Sequence, residues 1–145
     1  MSVKHKLKIW YLHKIKKQDN AQILKDHLIK TGMKIGENTY IFSGGVETSE
    51  PYLVEIGDNT IIANEVHFTT HDASAKYYID NASDIFGRII IGSNCFIGMG
   101  SICLPGTVIP DNCIVGAGSV VSKVFVNKGW LLQVIRLMKY VQLKN

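Results

Sequence analysis

The hydrophobic pattern is clearest between Ile91 and Ser122, where it repeats every six residues. Positions 91, 97, 103, 109, 115 and 121 are Ile, Ile, Cys, Ile, Val and Val. Gly follows at 92, 98 and 116, and a small Cys, Ser or Thr stands four places on at 95, 101, 107, 113 and 119. An amphipathic helix needs apolar residues at spacings of three and four, and a half-buried strand alternates over a longer run. A period of six fits neither. It predicts a parallel β-helix: each hexad is a short strand plus a turn, and three hexads close a coil of about 18 residues. The first residue of each hexad faces into the prism, the small one fits beside it, and glycine takes the corner.

The same phase extends upstream. Ile35-Gly36-Glu37-Asn38-Thr39-Tyr40 and Ile41-Phe42-Ser43-Gly44 open it, the register slips across 45–52, and Ile56-Gly57-Asp58-Asn59-Thr60-Ile61 recovers it. Residues 62–71 follow in phase. Residues 73–88 leave the pattern and are predicted to loop out of one coil. A loop of that length in a compact repeat is more often functional than decorative. Ahead of the repeat, Asp19 or Asn20 can cap a helix that runs through Ala21, Ile23, Leu24, Leu28 and Ile29 and stops at Gly32. Such a helix can cover the open end of the prism, where backbone would otherwise be unpaired. Residues 3–17, with Ile9, Leu12 and Ile15 among lysines beside Trp10 and Tyr11, suit a short amphipathic helix. The expected organisation is a basic helical segment (1–32), an all-β β-helix domain (33–123) with its loop (73–88), and a basic tail (124–145).

Charge sharpens that division. The chain of 145 residues carries a net +4, but unevenly. Residues 1–34 hold nine Lys and two Asp, residues 122–145 hold five Lys or Arg and no acid, and the body between has two basic residues against ten acidic. Basic ends can meet phosphate on a nucleic acid or an anionic membrane. The plainer reading is a solvated helix face, so no nucleic-acid partner is expected and only a weak membrane-surface contact through the N-terminus. No apolar run reaches membrane-spanning length and no signal-peptide layout is present, which makes the cytoplasm the expected location. Cys95, Cys103 and Cys113 occupy hexad positions, not a metal-type spacing, and read as small buried hydrophobes.

Several stretches are similar to the hexapeptide-repeat acyltransferases, and within them to bacterial sugar and polysaccharide O-acetyltransferases. They are Phe68-Thr-Thr-His-Asp-Ala-Ser74 before the loop, Ile91-Gly-Ser-Asn-Cys-Phe-Ile-Gly98 after it, Leu104-Pro-Gly-Thr-Val-Ile-Pro110, and Val115-Gly-Ala-Gly-Ser-Val-Val121. The resemblance covers about residues 33–123. It implies a left-handed coil, which general rules of strand crossover do not. It also implies a homotrimer, with acetyl-CoA held in a groove between prisms and a saccharide or other small-molecule acceptor near the loop. The family's essential histidine maps onto His71. Chemistry asks for one, because an acceptor hydroxyl is a poor nucleophile until a base near neutral pKa takes its proton. Asp72 points the other way if this is strand, so a backbone carbonyl or an acid from elsewhere is left to orient the ring. Gly98, Gly100, Gly116, Ala117 and Gly118 are expected to line the acetyl-CoA groove, and Asn81, Asp84 and Arg88 to meet acceptor hydroxyls. For His67 a structural or intersubunit contact is expected. The related γ-class carbonic anhydrases bind zinc through three histidines; the coil region here has only His67 and His71, so no metal is expected.

The tail departs from this likeness. The family continues beyond its Gly-Ser-Val-Val into a Gly-Asn-Pro-Ala turn, whereas here Val124-Phe-Val-Asn-Lys-Gly-Trp130 follows and the turn is missing. Starting each codon from Gly129 on at the third base of the one before, allowed synonymous choices spell Val-Val-Ile-Ala-Gly-Asn-Pro-Ala-Asn-Glu-Val. A shift of coding frame between about Lys123 and Gly129 is therefore one expectation, with weakened coenzyme binding as its consequence. A native amphipathic helix from Trp130 to Leu143 is the other. The leading functional expectation is acetyl-CoA-dependent O-acetyl transfer to a sugar hydroxyl. A catalytically inactive β-helix remnant or scaffold stands against it.

Overall fold

The computed structural model describes residues 20–42, 46–77, 84–122, 130–132 and 141–142. The amphipathic helix expected over 3–17 lies outside them. Helix α1 (Asn20–Lys30) buries Ala21, Ile23 and Leu28. It ends where the sequence says it should. Gly32 takes φ +102°, and the Gly32 and Met33 amides reach back to the Ile29 and Leu28 carbonyls at 3.0 and 3.1 Å. That pattern is a Schellman stop, which only a residue at ease in the left-handed region closes without strain. The helix lies across the first coil, and Lys25 Nζ donates to the carbonyls of Thr39 (2.9 Å) and Gly36 (3.4 Å). Carbonyls that have no coil below them are satisfied in this way.

Beyond α1 the chain winds as a three-faced parallel β-helix of two- and three-residue strands. The first face stacks β1 (Lys34–Ile35), β4 (Val54–Ile56), β9 (Ile89–Ile91) and β12 (Val108–Ile109). The second stacks β2 (Tyr40–Ile41), β5 (Ile61–Ile62), β10 (Phe96–Ile97) and β13 (Ile114–Val115), then β15 (Trp130–Leu132) and an antiparallel β16 (Val141–Gln142). The third stacks β3 (Val46–Glu47), β6 (Val66–Phe68), β11 (Ile102–Cys103) and β14 (Val120–Val121). A hairpin of β7 (His71–Asp72) and β8 (Ile85–Phe86) stands off the corner between the third and first faces.

Register measures each coil. Partners in the last two coils are 18 residues apart, as in Phe96↔Ile114 and Ile102↔Val120. Across the coil that carries the loop they are 35 apart on every face, as in Val54↔Ile89 and Ile61↔Phe96. The excursion thus leaves the stack without disturbing its phase. Across the first coil they are 21 or 20 apart, as in Tyr40↔Ile61 and Val46↔Val66, and a 3-10 turn at Pro51–Leu53 takes up the slip at 45–52.

The hexad logic holds inside the prism. Ile91, Ile97, Cys103, Ile109, Val115 and Val121 are all buried, as are Ile41, Ile62, Val66 and Phe68 in the lower coils. The small residues are buried as well, and their hydroxyls bond from coil to coil. Thr39 Oγ1 donates to the Gly57 carbonyl (2.6 Å), Thr60 Oγ1 to Gly92 (2.9 Å), Ser101 Oγ to Gly116 (3.1 Å) and Thr107 Oγ1 to Val121 (2.8 Å). A buried hydroxyl is tolerated there because a carbonyl stands ready to accept it. At Gly98 there is room for nothing more than hydrogen: a Cβ would sit 2.5 Å from the Ala117 nitrogen.

The tail settles one of the two expectations made for it. Trp130–Leu132 is a strand that pairs in parallel with β13, and Val141–Gln142 is a strand too. An amphipathic helix from Trp130 to Leu143 is therefore not what these described residues form. The top coil offers an open strand edge, and satisfying it outweighs the helical periodicity of an isolated segment.

Candidate active site

The site grows out of the third face. Strand β6 ends at Phe68, whose side chain fills the prism, and Thr69-Thr70 carries the chain around the corner into β7. In β7 the side chains alternate, so His71 turns one way while exposed Asp72 turns the other, its Oδ1 accepting the Ser74 amide at 2.8 Å. Asp72 is spent on that turn and does not orient His71.

Glu50 does. Its Oε2 lies 3.0 Å from His71 Nδ1 and also accepts a hydrogen bond from Thr70 Oγ1. An ionised carboxylate only accepts, so Nδ1 carries the proton and Nε2 is left as the basic nitrogen. The carboxylate hydrogen bond raises the His71 pKa above its ordinary value, with smaller pushes from the charges of Asp84 and Asp72. Thr70 first, then His71, lower that of Glu50. Phe86, opposite His71 in the hairpin, holds the other side of the ring, with centroids 5.6 Å apart and planes at 40°. The imidazole is thus fixed by a carboxylate from the coil below and an aromatic from the returning loop.

Beside it is a cleft of about 600 Å³, lined by Val46, Thr48 and Ser49 from the first coil and by residues 67–71 from the second. That volume is in the range of small-molecule sites. His67 faces outward from β6 and contributes to this wall.

The remaining candidates fall elsewhere. Asp84 is exposed near the start of β8, close enough to act on His71 through space. Arg88 is committed to Glu55, which also takes Lys34 at 2.6 Å, so it forms an ion-pair cluster on the first face. Asn81 lies outside the described residues. Gly98, Gly100, Gly116, Ala117 and Gly118 form the corner between the second and third faces, across the third face from His71. Gly100 and Gly118 have φ +68° and +69°, and a Cβ on either would meet nothing, so this corner is open on its outer side. The structure therefore brings His71 together with Glu50, Thr70, Phe86 and Asp84, and sets the glycine corner apart from them.

Glu50, Thr70 and Phe86 were missed by sequence reasoning. Glu50 sits where the hexad register slips, so nothing marked it. The signal was the coil offset: Glu50 precedes His71 by 21 residues, the spacing that pairs Lys34 with Glu55 one coil up. The thiols are structural. All three are free and buried, and burial pushes Cys103 up to about 12. Among the described residues no group of three or more His, Cys, Asp or Glu is placed to hold a metal ion.

Comparison with known proteins places this architecture. The family described as the hexapeptide repeat of succinyl-transferase matches residues 88–123. Protein CapG of Staphylococcus aureus is 43% identical over 86 residues, which are 57% of this chain and 50% of that protein. A maltose O-acetyltransferase from Clostridium difficile 630 superposes with a TM-score of 0.64 at 27% identity, over 77% of this chain and 58% of its own. A hexapeptide-repeat acetyltransferase of Vibrio cholerae gives 0.68 at 27% identity over 80% and 65%, and its complex with acetyl coenzyme A gives 0.63 over 71% and 56%. The chain spans about half the length of the curated relative it matches. Its fold is the left-handed parallel β-helix of the hexapeptide-repeat acyltransferases, as the sequence pattern and resemblance led one to expect.

Proposed function

From a chain with the repeat and the left-handed coil of the hexapeptide-repeat acyltransferases, we propose an acetyl-CoA-dependent O-acetyltransferase acting on a hydroxyl of a sugar or polysaccharide precursor. The observation that carries the proposal is the Glu50–His71 pair, whose histidine lines the cleft. Nε2 takes the proton of the acceptor hydroxyl as its oxygen attacks the thioester carbonyl, and the imidazolium returns that proton to the departing thiolate. Glu50 fixes the tautomer that leaves Nε2 free and steadies the positive charge that the ring gains. Thr70 and Phe86 keep both groups in place. The acetyl-CoA complex of the Vibrio cholerae neighbour and the maltose named for the Clostridium difficile one support the donor and the acceptor class.

The coenzyme is assigned to the open glycine corner at Gly98–Gly100 and Gly116–Gly118. Since that corner stands apart from His71 within one chain, the reading includes a homotrimer, in which the groove between prisms completes the site. The second face supports it: Tyr40, Ile61, Phe96 and Ile114 stand in register on its outer side, each 38–44% exposed. A stacked apolar stripe of this kind calls for cover, and a symmetric copy supplies it. A cytoplasmic location is part of the proposal, and no described helix is long and apolar enough to cross a membrane. Asp84 is proposed to border the acceptor. Arg88, held by Glu55, is proposed to brace the loop's return.

The test is release of free thiol from acetyl-CoA with simple sugars, repeated with His71→Ala. Turnover that survives the substitution unchanged removes His71 from the role. The second reading, an inactive remnant or scaffold, is favoured by one observation, the tail that lacks the family's Gly-Asn-Pro-Ala. Under that reading the wild-type chain neither binds acetyl-CoA nor releases thiol.

A further inference from the structure

The prism gives its buried hydroxyls partners. Thr39, Thr60, Ser101, Thr107 and Ser119 donate to main-chain carbonyls, and Thr70 donates to Glu50. Among the described residues one side-chain oxygen breaks the rule: Thr48 Oγ1 is buried and has no hydrogen-bond partner. Its place is not random. Thr48 lies two residues before Glu50, on the stretch where the hexad register slips, and it lines the cleft opposite residues 67–71. A buried hydroxyl left unmet costs stability, and such exceptions in a folded protein call for a reason. Valine has the same outline and would carry no such cost.

We infer that Thr48 is an acceptor-binding residue: its hydroxyl bonds an acceptor oxygen near the one that His71 deprotonates, and so fixes which hydroxyl is acetylated. This deepens the acetyl-transfer reading and rests on it. Thr48 lines the cleft while its oxygen is shielded, so the atoms it presents to the cleft are others, and one step of χ1 brings the hydroxyl round. That step breaks no bond, because none is made. An acceptor oxygen in the cleft then gives the hydroxyl a partner, and each of the two groups can donate or accept. The placement suits the role. His71 stands on the second coil and Thr48 on the first, with Glu50 reaching from one to the other. An acceptor held only through the hydroxyl at His71 Nε2 can pivot about it, and a second hold from the other wall stops the pivot.

The experiment uses the full chain and acetyl-CoA. Thiol release is followed with maltose, methyl α-glucoside, methyl α-galactoside and the methyl glycoside of N-acetylglucosamine, then with the monodeoxy analogues of the best of them. Wild type is compared with Thr48→Val, which keeps the outline and removes the hydroxyl, and with Thr48→Ser, which keeps the hydroxyl. Thr48→Val should lower kcat/KM for the best acceptor about three- to tenfold, as loss of one neutral hydrogen bond does, and Thr48→Ser should restore most of it. Acetyl-CoA affinity by calorimetry should not change. The urea midpoint of Thr48→Val should equal or exceed that of wild type, since the hydroxyl removed was unmet. One deoxy analogue should show the loss already with wild type and no further loss with Thr48→Val, which identifies the oxygen that Thr48 holds. Unchanged kcat/KM in Thr48→Val overturns the inference. So does a lowered urea midpoint, which makes the hydroxyl a fixture of the fold, or a changed mass in sedimentation, which assigns it to a contact between copies. Losses that multiply for every deoxy analogue overturn it as well. In each of these cases wild-type turnover remains and the transfer reading stands. If wild type acetylates none of these acceptors, the sugar-acceptor reading fails and takes this inference with it.

Discussion

Replacing Glu50 by Gln isolates the orienting carboxylate from the base it serves. Gln is nearly the same shape, so the corner should keep its fold. One oxygen, Oε2, takes both Thr70 and His71 in the wild type, and when the amide nitrogen stands there the Thr70 hydroxyl can turn to accept from it. The Gln amide carries no charge, however, and its Nε2–H can donate to His71 Nδ1. That places the ring proton on the nitrogen that has to be free. A buried triad acid that loses its charge in this way costs about 10⁴-fold. The pair here is more open, with side-chain exposures of 35% for His71 and 16% for Glu50, and water screens and substitutes for part of the lost contact. The expected fall in kcat is therefore about 10- to 100-fold, below the span available to a general base as a whole. KM for acetyl-CoA should not move.

The pH profile separates this account from a merely structural one. Glu50 favours the protonated ring and holds the His71 pKa above its ordinary 6.5. In wild type, kcat/KM should then rise with pH to a midpoint above that value. In Glu50→Gln the midpoint should slide down, so the variant's deficit narrows as the pH is lowered. Initial rates of thiol release between about pH 5.5 and 9, bracketing the imidazole pKa, read both effects. A variant with wild-type kcat and an unmoved midpoint would refute the role given to Glu50.

Four further outcomes are expected. His71→Ala should lower kcat about 10²- to 10⁴-fold while leaving acetyl-CoA binding intact by calorimetry. Stability should also depend on pH through the same pair. Glu50, with its pKa depressed below 4.5, contributes above its unfolded pKa and loses that contribution as pH falls through the lower folded value. His71, with its pKa raised above 6.5, contributes at low pH and loses that contribution as pH rises through its folded value. Urea midpoints should therefore converge in acid, separate wild type from Glu50→Gln as pH rises past the unfolded Glu50 pKa, and at alkaline pH, where His71 is neutral, keep only the part of the difference that Thr70 supplies. Gly98→Ala should destabilise the coil by about 1–3 kcal/mol, because its Cβ meets Ala117 and Val115 backbone at 2.5–2.7 Å; a urea denaturation curve measures it. Finally, the coding nucleotides after about Lys123 should spell Gly-Asn-Pro-Ala in the shifted frame. A variant restored to that frame should then bind acetyl-CoA more tightly than the chain as it stands, and nucleotides that encode no such turn end the proposal.

How much of this was legible beforehand follows from where each constraint lies. The inward residue at 91, 97, 103, 109, 115 and 121 meets the same demand in every coil, so one short window reveals the fold. His71 was singled out by the resemblance, and its place beside a stretch that breaks the phase supported the choice. The helix stop at Gly32 was visible because only a few residues close that turn. Glu50 was hidden because its position depends on coil length, and the slip over 45–52 makes the first coil longer than the 18-residue coils above the loop. Phe86 was hidden for a related reason: the hairpin that sets it opposite His71 has no repeat to mark it. Arg88 read as a loop cation from sequence, while the ladder on the first face delivers it to Glu55. Trp130–Leu132 read as part of a helix in isolation, yet an open ladder edge at β13 takes it as a strand.

Helix α1, with Lys25 laid over the carbonyls of Gly36 and Thr39, precedes every coil in the chain. A ribosome therefore delivers the floor before the storeys. Each new turn can be laid on a finished template without waiting for distant sequence, at about two seconds per 18 residues if synthesis runs near ten residues a second. The storey that carries His71 takes 35 residues and about twice as long. The edge beneath it stays bare for that interval, and there the nascent chain is most exposed to joining a stranger.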